Sequence, residues 1–500
     1  MKQDVIAVLD IGKTNKKVLI YDDKLKILDK QTKAFGEVDD GSGMKLEQPE
    51  AAFEWFISIL KDFSSKYNVR AISVTTHGAM GVCVDGDGNI TCPPYAYTNE
   101  PGKEFCDSFF AEYGDRATLQ KQTATAEIGE MINFAKIIYY WKKNCPGLLD
   151  KTEHILLYPQ YFGYKLTSNA AADTTMLGCH TYLYDHAGNT YSKVAEKLGV
   201  VGKLPERICK SSESLGTVTS KIADKAGLGE DCIVTAGIHD SNASLLPFLI
   251  SETEDFILNS TGTWCVAMKP ADKVVFEENE IGKTIFYNQD VFGKPVKTSI
   301  FMGGLEYETY TKLFEDIHKR NDLPGLDINV YGRVLNECKD FILPSVVKGA
   351  GAFPDAKPAL VEGDKRIPLD DFKEGKDKPA FIDDYEYAIA VLICSLAVQT
   401  SAALNFAGYK DGGNIFVEGG FRFNEPYLKL LTAFYPNSSL YKTNIAEATA
   451  LGSAIIALAA LENKDPHQLD IDLGIEKLPV EKISGLKVDK YREKFFEAIE

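Results

Sequence analysis

The chain has no surplus of basic residues. Its 55 Lys and Arg stand against 72 Asp and Glu, a formal net charge of −17. A surface that negative opposes nonspecific attachment to nucleic acid or anionic lipid, so neither is expected as a partner. A phosphorylated small molecule is still allowed, because a local loop and a divalent cation can offset its charge. The ten cysteines contain no C-x-x-C pair and no metal-ligand spacing. Several, such as Cys83, Cys265 and Cys394, lie inside apolar runs and read as small core residues. No signal peptide precedes the first strand-like run, so a reducing cytoplasm is expected. No apolar run reads as a membrane span. Residues 385–404 come nearest, but Gln399, Thr400 and Ser401 make them a buried helix.

A P-loop is also missing. The tripeptide Gly12-Lys13-Thr14 looks like the end of one, but the motif needs a glycine where Ala7 stands, and a helix after it. The turn leads instead into Val18-Leu19-Ile20-Tyr21, a strand-forming run like Val5-Ile6-Ala7-Val8-Leu9 before it. The stretch therefore reads as a β-hairpin in which Gly12 supplies backbone freedom. Its tip can bind phosphate through backbone N–H groups, the Thr14 hydroxyl and a lysine charge. Asp10 closes an otherwise apolar strand. The device recurs roughly 250 residues later as LNSTGTWCVAMK, residues 258–269. A chain of 500 residues exceeds one ordinary core. The repeat implies two related α/β domains, 1–248 and 249–500, offering phosphate-binding tips to a shared cleft.

Between the hairpins, IVTAGIHDSNASLLPFL (residues 233–249) runs from strand to helix, with Asp240 at the junction. Two roles fit Asp240: a helix N-cap, shared with Ser241, or a general base facing the cleft. Phosphoryl transfer to an alcohol needs such a carboxylate. Further on, IFVEGGFRFNEPYLKLL (residues 415–431) sets Gly419-Gly420 between a strand and a helix starting near Asn424 or Glu425, where backbone can approach a flat ligand. NIAEATALGSAIIALAAL comes next, a small-residue helix whose Gly452 allows close packing. Residues 315–380, rich in charge, Pro and Gly, read as surface insertions.

In this order, DIGKTNKK, GIHDSNAS, NSTGTW, VEGGFRFN and EATALGSAIIA resemble the FGGY carbohydrate kinases of the actin/hexokinase/Hsp70 ATPase superfamily. The resemblance implies two ribonuclease-H-like domains with ATP and a sugar between them. Asp240 would then be the base, and Asp10 would position Mg²⁺ directly or through water. Gly12, Thr14, Asn15 and Lys17 would line one phosphate loop, and Thr261, Gly262 and Thr263 the other. Gly419, Gly420 and Asn424 would lie near the adenosine. Lys13 departs from the small residue common there; it either adds charge at the phosphates or points to solvent. His239 beside Asp240, and AISVTTHGAMGVCVDGDG, are similar to the L-rhamnulose and L-fuculose kinases. There His77, Met80, Asp173, His239 and Asp240 would touch the sugar, Met80 standing where a carboxylate is common; a loop aspartate is the other reading of Asp173. The substrate expected is a ketose of that kind, with D-xylulose, another pentulose or a polyol as alternatives. A sugar-independent actin- or chaperone-like ATPase and a sugar sensor are the rival classes. Many members are dimers, but no stretch here identifies an interface.

Overall fold

Strand Asp4–Ile11 is buried on both faces: Val5, Ala7, Leu9 and Ile11 enter one apolar core, Ile6 and Val8 another. That double burial explains why the run is continuously apolar in sequence. The partner strand, Asn15–Tyr21, repeats the pattern, with Val18 and Ile20 on one side and Leu19 and Tyr21 on the other. In the computed structural model, which describes residues 2–499, these strands and Ile27–Ala34 form an antiparallel meander. Asn68–Thr76 and then Ile233–Thr235 add in parallel on the other side of Asp4–Ile11.

The second half repeats this order. Phe256–Thr261, Cys265–Pro270 and Pro295–Phe301 are antiparallel; Asn414–Gly419 and Ser439–Thr443 add in parallel. Two α/β domains of the ribonuclease-H-like type result.

The layers interlock. Helix Pro49–Lys66 presents Phe53, Phe56, Ile57, Leu60 and Phe63, at helical spacing, to the outer face of the first sheet. Between the two sheets lies a shared core holding helices Asp240–Ser251 and Ala448–Glu462. The first carries Phe248, which packs on Phe416 of the second sheet at 4.8 Å between ring centroids. The second comes from the late part of the chain, yet packs on Asp4–Ile11 and Asn68–Thr76 of the first sheet. The two helices nearly touch backbone to backbone. A Cβ on Gly452 would stand 1.9 Å from the Ala243 carbonyl oxygen, so only glycine fits. The boundary expected at 248/249 falls inside the first of these helices.

Helix Tyr385–Phe406 is buried from Tyr387 to Leu404. It is the one helix among the described residues long and apolar enough to cross a membrane, and it forms the heart of the second domain instead. Residues 315–380 correct the sequence reading: they are not surface insertions. They fold into helix Ile328–Glu337 and an antiparallel sheet of Asp340–Leu343, Ala359–Glu362 and Lys365–Pro368. Phe341, Ile342, Leu360 and Ile367 bury into the core around the central helix. All ten cysteines are free thiols, and Cys83, Cys265 and Cys394 are buried.

Candidate functional site

The first hairpin turns at 12–14. Gly12 is not in the left-handed region; its lack of a side chain matters because a Cβ would crowd the Asn15 carbonyl oxygen at 3.1 Å. Thr14 and Asn15 stand exposed at the tip. Beneath it, the buried Lys16 ammonium donates to the Gly12 and Lys13 carbonyls at 2.9 and 3.0 Å, stiffening the loop. Lys13 points neither to solvent nor freely into the cleft. Its ammonium bonds Glu47 at 2.7 Å, pairs with Glu37, and lies over the Tyr97 ring. Glu47 is itself buried, and burial alone would raise its pKa. His77 and Lys13 beside it reverse that and hold it at about 2.

Asp10 pairs in register with Lys17 across the hairpin. The Lys17 ammonium lies 3.5 Å from Asp10 and 2.7 Å from Glu447, so it bridges two carboxylates rather than reaching out alone. Burial, reinforced by the charges of Asp240 and Glu447, lifts the Asp10 carboxyl to about 6 against the pull of Lys17. A buried carboxylate with too little positive charge around it suits a divalent cation. Among the described residues no three His, Cys, Asp or Glu close into a cage. An ion at Asp10 would therefore take further ligands from water and phosphate, as Mg²⁺ does.

At the second turn, Gly262 and Thr263 line the cleft, and Thr261 does not. The Thr261 side chain is buried, donating to the Glu418 carbonyl and accepting from the Phe421 N–H at 2.9 Å. This same crossing explains Gly419. Its φ is +81°, and a Cβ would stand 1.9 Å from the Thr261 carbonyl oxygen, so the glycine answers to the neighbouring strand. Gly420 is next in the chain, and Asn424 caps helix Glu425–Phe434, its side chain accepting from the Tyr427 N–H at 3.1 Å. The sequence missed Gly304, whose Cβ would strike the Gly262 carbonyl at 1.9 Å. It seats helix Gly303–His318 against the turn.

Asp240 opens helix Asp240–Ser251, and the N-cap position falls to His239. The turn before it needs Gly237, at φ +83°. Asp240 is partly exposed. The Ser241 N–H donates to its Oδ1 at 2.6 Å, and His239 Nε2 lies 3.2 Å from the same oxygen. Oδ2 takes no hydrogen bond among the described residues. Asp240 lines a cavity of about 310 Å³ between the domains. Lys13, His77 and His239 reach it from the first domain, Ser260, Gly262 and Thr263 from the second. Its walls mix aromatic and aliphatic surface (Trp264, Phe286, Ile300) with buried polar atoms lacking any partner, His180 Nδ1 and Asn288 Oδ1. Burial, with His239 nearby, pushes the His180 ring down to about 3, so it is neutral.

Two expected sugar contacts are not in this cavity. Met80 is fully buried in the first domain's core, and Ala79, at φ +62°, lines the cavity in its stead. Asp173 is also fully buried: it caps helix Thr174–Leu177, accepting from the Met176 N–H at 3.0 Å, the Ser211 hydroxyl at 2.7 Å and the Thr175 hydroxyl. Burial lifts its carboxyl to about 6 despite those bonds. Trp264, His180, Asn288 and Glu447 went unread in the sequence. Trp264 and Glu447 stand within motifs that drew attention for other residues. His180 and Asn288 lie in no motif and are brought in by the fold alone.

The chain has known relatives. L-fuculokinase of Salmonella typhi is 26% identical over 286 residues, 55% of this chain and 58% of that one. Rhamnulokinase of Bacteroides thetaiotaomicron is 22% identical over 201 residues, 39% of this chain and 40% of that one. The chain thus spans less than two thirds of the length of these curated relatives. Solved structures align throughout: a carbohydrate kinase from Novosphingobium aromaticivorans has a TM-score of 0.79 at 23% identity, covering 100% of this chain and 99% of that one. A ligand-bound xylulose kinase from Lactobacillus acidophilus has a TM-score of 0.80 at 15% identity, covering 99% and 96%. The model for the N-terminal domain of the FGGY family of carbohydrate kinases matches residues 5–247, that for the FGGY carbohydrate kinase C-terminal domain matches 253–466, and the chain belongs to this family.

Proposed function

We propose that the protein is an ATP-dependent carbohydrate kinase acting on a hydroxyl of a ketose of the L-rhamnulose or L-fuculose kind. One observation carries this reading: Asp240, whose Oδ2 takes no hydrogen bond among the described residues, lines a cavity of sugar size that is also lined by residues with unpartnered buried polar atoms. Apolar and aromatic walls suit the C–H faces of a sugar, and His180 and Asn288 suit its hydroxyls. A site built this way rejects sugars that leave those atoms unpaired.

In the reaction, a substrate hydroxyl oxygen bonds to the γ-phosphorus of ATP as the bond to the bridging oxygen breaks, releasing ADP. Asp240 Oδ2 accepts the hydroxyl proton. The tips around Thr14 and Gly262–Thr263 offer N–H groups and hydroxyls to the phosphates. Lys16 keeps the first tip rigid, and Lys17 limits repulsion between Asp10 and Glu447. Mg²⁺, held at Asp10, would offset phosphate charge. Two domains sharing one cleft can close on the substrates and exclude water, the competing acceptor. Free cysteines suit a cytoplasmic location.

The test is ADP release from Mg·ATP with L-rhamnulose, L-fuculose, D-xylulose and a set of aldoses and polyols. Strong stimulation by a deoxy-ketohexose supports the full proposal. Stimulation by D-xylulose alone keeps the kinase and changes the substrate. Turnover indifferent to every sugar overturns the reading in favour of an actin-like ATPase.

A further inference from the structure

Strand Ile285–Gln289 is the outer strand of the second sheet, paired on its inner side with Pro295–Phe301. An outer strand presents a row of unpaired N–H and C=O groups. Here the first domain supplies partners for them. Gln120, buried on helix Arg116–Thr123, donates from Nε2 to the Ile285 carbonyl at 2.8 Å and to the Lys283 carbonyl at 3.3 Å. Its Oε1 accepts from the Gly282 N–H at 2.9 Å. Two carbonyls and one N–H meet a single amide, and one orientation of that amide satisfies all three. The helix ends at Ala124, whose φ of +53° turns the chain, and the Ala124 carbonyl accepts from the Tyr287 N–H at 3.0 Å. One side chain and one carbonyl of the first domain stand where a further strand would pair.

The same strand walls the cavity. Phe286 and Asn288 alternate with Ile285 and Tyr287, and both line it. The Phe286 ring lies 3.9 Å from the His180 ring between centroids. Ala126, two residues past the turn, shares an apolar cluster with Phe286 and Ile300. Phe286 and Asn288 come from the second domain, His77, His180 and His239 from the first. The cavity therefore has both walls only while the strand stays on the helix.

We propose, on the reading that this cavity takes the sugar, that Gln120 is a positioning residue for substrate binding: its amide completes the free edge of strand Ile285–Gln289 and so holds Phe286 and Asn288 against the first domain. Without the amide, the Ile285 carbonyl and the Gly282 N–H lose a partner, and a buried polar group left unpaired favours parting of strand and helix. The form with both walls in place is then less populated, and the sugar binds more weakly by that fraction. Saturating sugar restores the form. Asp240 and the phosphate turns are untouched, so turnover at saturation survives.

Two variants test this, with the ketose that best stimulates wild-type ADP release as the probe. Gln120→Met keeps the length of the side chain and removes the amide. Gln120→Glu keeps its shape, but an ionised carboxylate cannot donate to the two carbonyls. Gln122→Ala, at an exposed glutamine of the same helix, is the control and should match the wild type. Both Gln120 variants should raise KM for the sugar by roughly 10- to 100-fold, with kcat within about threefold of the wild type. In the wild type, hydrogen exchange at the Gly282 and Tyr287 amides should slow when that ketose is bound. A wild-type KM in both variants, or a kcat that falls while KM holds, overturns the proposal. If neither variant folds, the wild-type exchange decides, and amides indifferent to the sugar overturn it. If no sugar stimulates the wild type, the sugar reading fails first and the positioning role with it. If the wild type is stimulated and KM does not move, only the positioning role is lost.

Discussion

Replacing Gly452 by alanine tests whether the crossing of the two central helices governs both stability and catalysis. On helix propensity alone, alanine would stabilise by about 1 kcal/mol. The structure predicts the opposite sign. The new Cβ would meet Ala243 O, C and Cα at 1.9, 2.6 and 2.9 Å, all backbone atoms that cannot rotate aside. Setting 1.9 Å against an ordinary contact of about 3.5 Å leaves roughly 1.6 Å for the helices to separate. Overpacking of this kind costs about 1–3 kcal/mol or more, which exceeds the propensity gain. Asp240 stands one turn before Ala243, so the separation also moves the base against the second domain's phosphate turn. A misplacement of about 1 Å can cost roughly 100-fold in rate. Gly452→Ala should lower the denaturant midpoint and cut sugar-stimulated ADP release by one to two orders of magnitude, order-of-magnitude figures from the same scale. A variant more stable than the wild type with unchanged turnover would refute the reasoning.

Three further substitutions probe the site. Asp240→Asn should lose at least about 100-fold in kcat while melting as the wild type does, since general-base catalysis is worth that much; near-wild-type turnover would remove Asp240 from the role. Asp10 has a folded-state pKa of about 6 against an ordinary 3.8, so its protonation favours the fold, fully so below pH 3.8, and that contribution is lost as pH rises through 6. Asp10→Asn should therefore make the metal-free protein more stable than the wild type at pH 8, by about 3 kcal/mol at most, with the difference shrinking as pH falls through 6 and gone below pH 3.8; chemical denaturation across this range checks this, and no gain at pH 8 counts against it. Met80→Leu, a volume-conserving change in a core, should cost under about 1.5 kcal/mol and leave the order of preferred sugars unchanged; a changed order would return Met80 to the substrate site.

Both hairpins were legible because their signals are local: apolar runs flank a short polar turn, and the strand order comes from repeating the unit. The strand-to-helix junction at Asp240 was legible for the same reason. What failed was the direction of single side chains. His77 and Ala79 face the cavity while Met80 turns into the core, and the left-handed backbone at Ala79 that reorients the chain leaves no mark on an alanine. Ser260 faces the cavity and Thr261 the core, an alternation read one residue out of phase. The Lys17 partner, Glu447, is 430 residues away, beyond any periodicity. In residues 315–380 the charges of turns and outer faces outnumber strands only four residues long.

The exchange of helices between the domains has a consequence for synthesis. The inner face of the first sheet, Ile6, Val8, Leu19 and Tyr21, is covered in part by residues 448–462. After residue 251 ends the first central helix, another 211 residues (462 − 251) must be made before that cover is complete. At about 5–20 residues per second the nascent sheet waits roughly 10–40 s with an apolar face incomplete. Holding factors at the ribosome have their clearest target there, and a chain truncated before residue 448 would be an aggregation-prone fragment rather than a freestanding sugar-binding module.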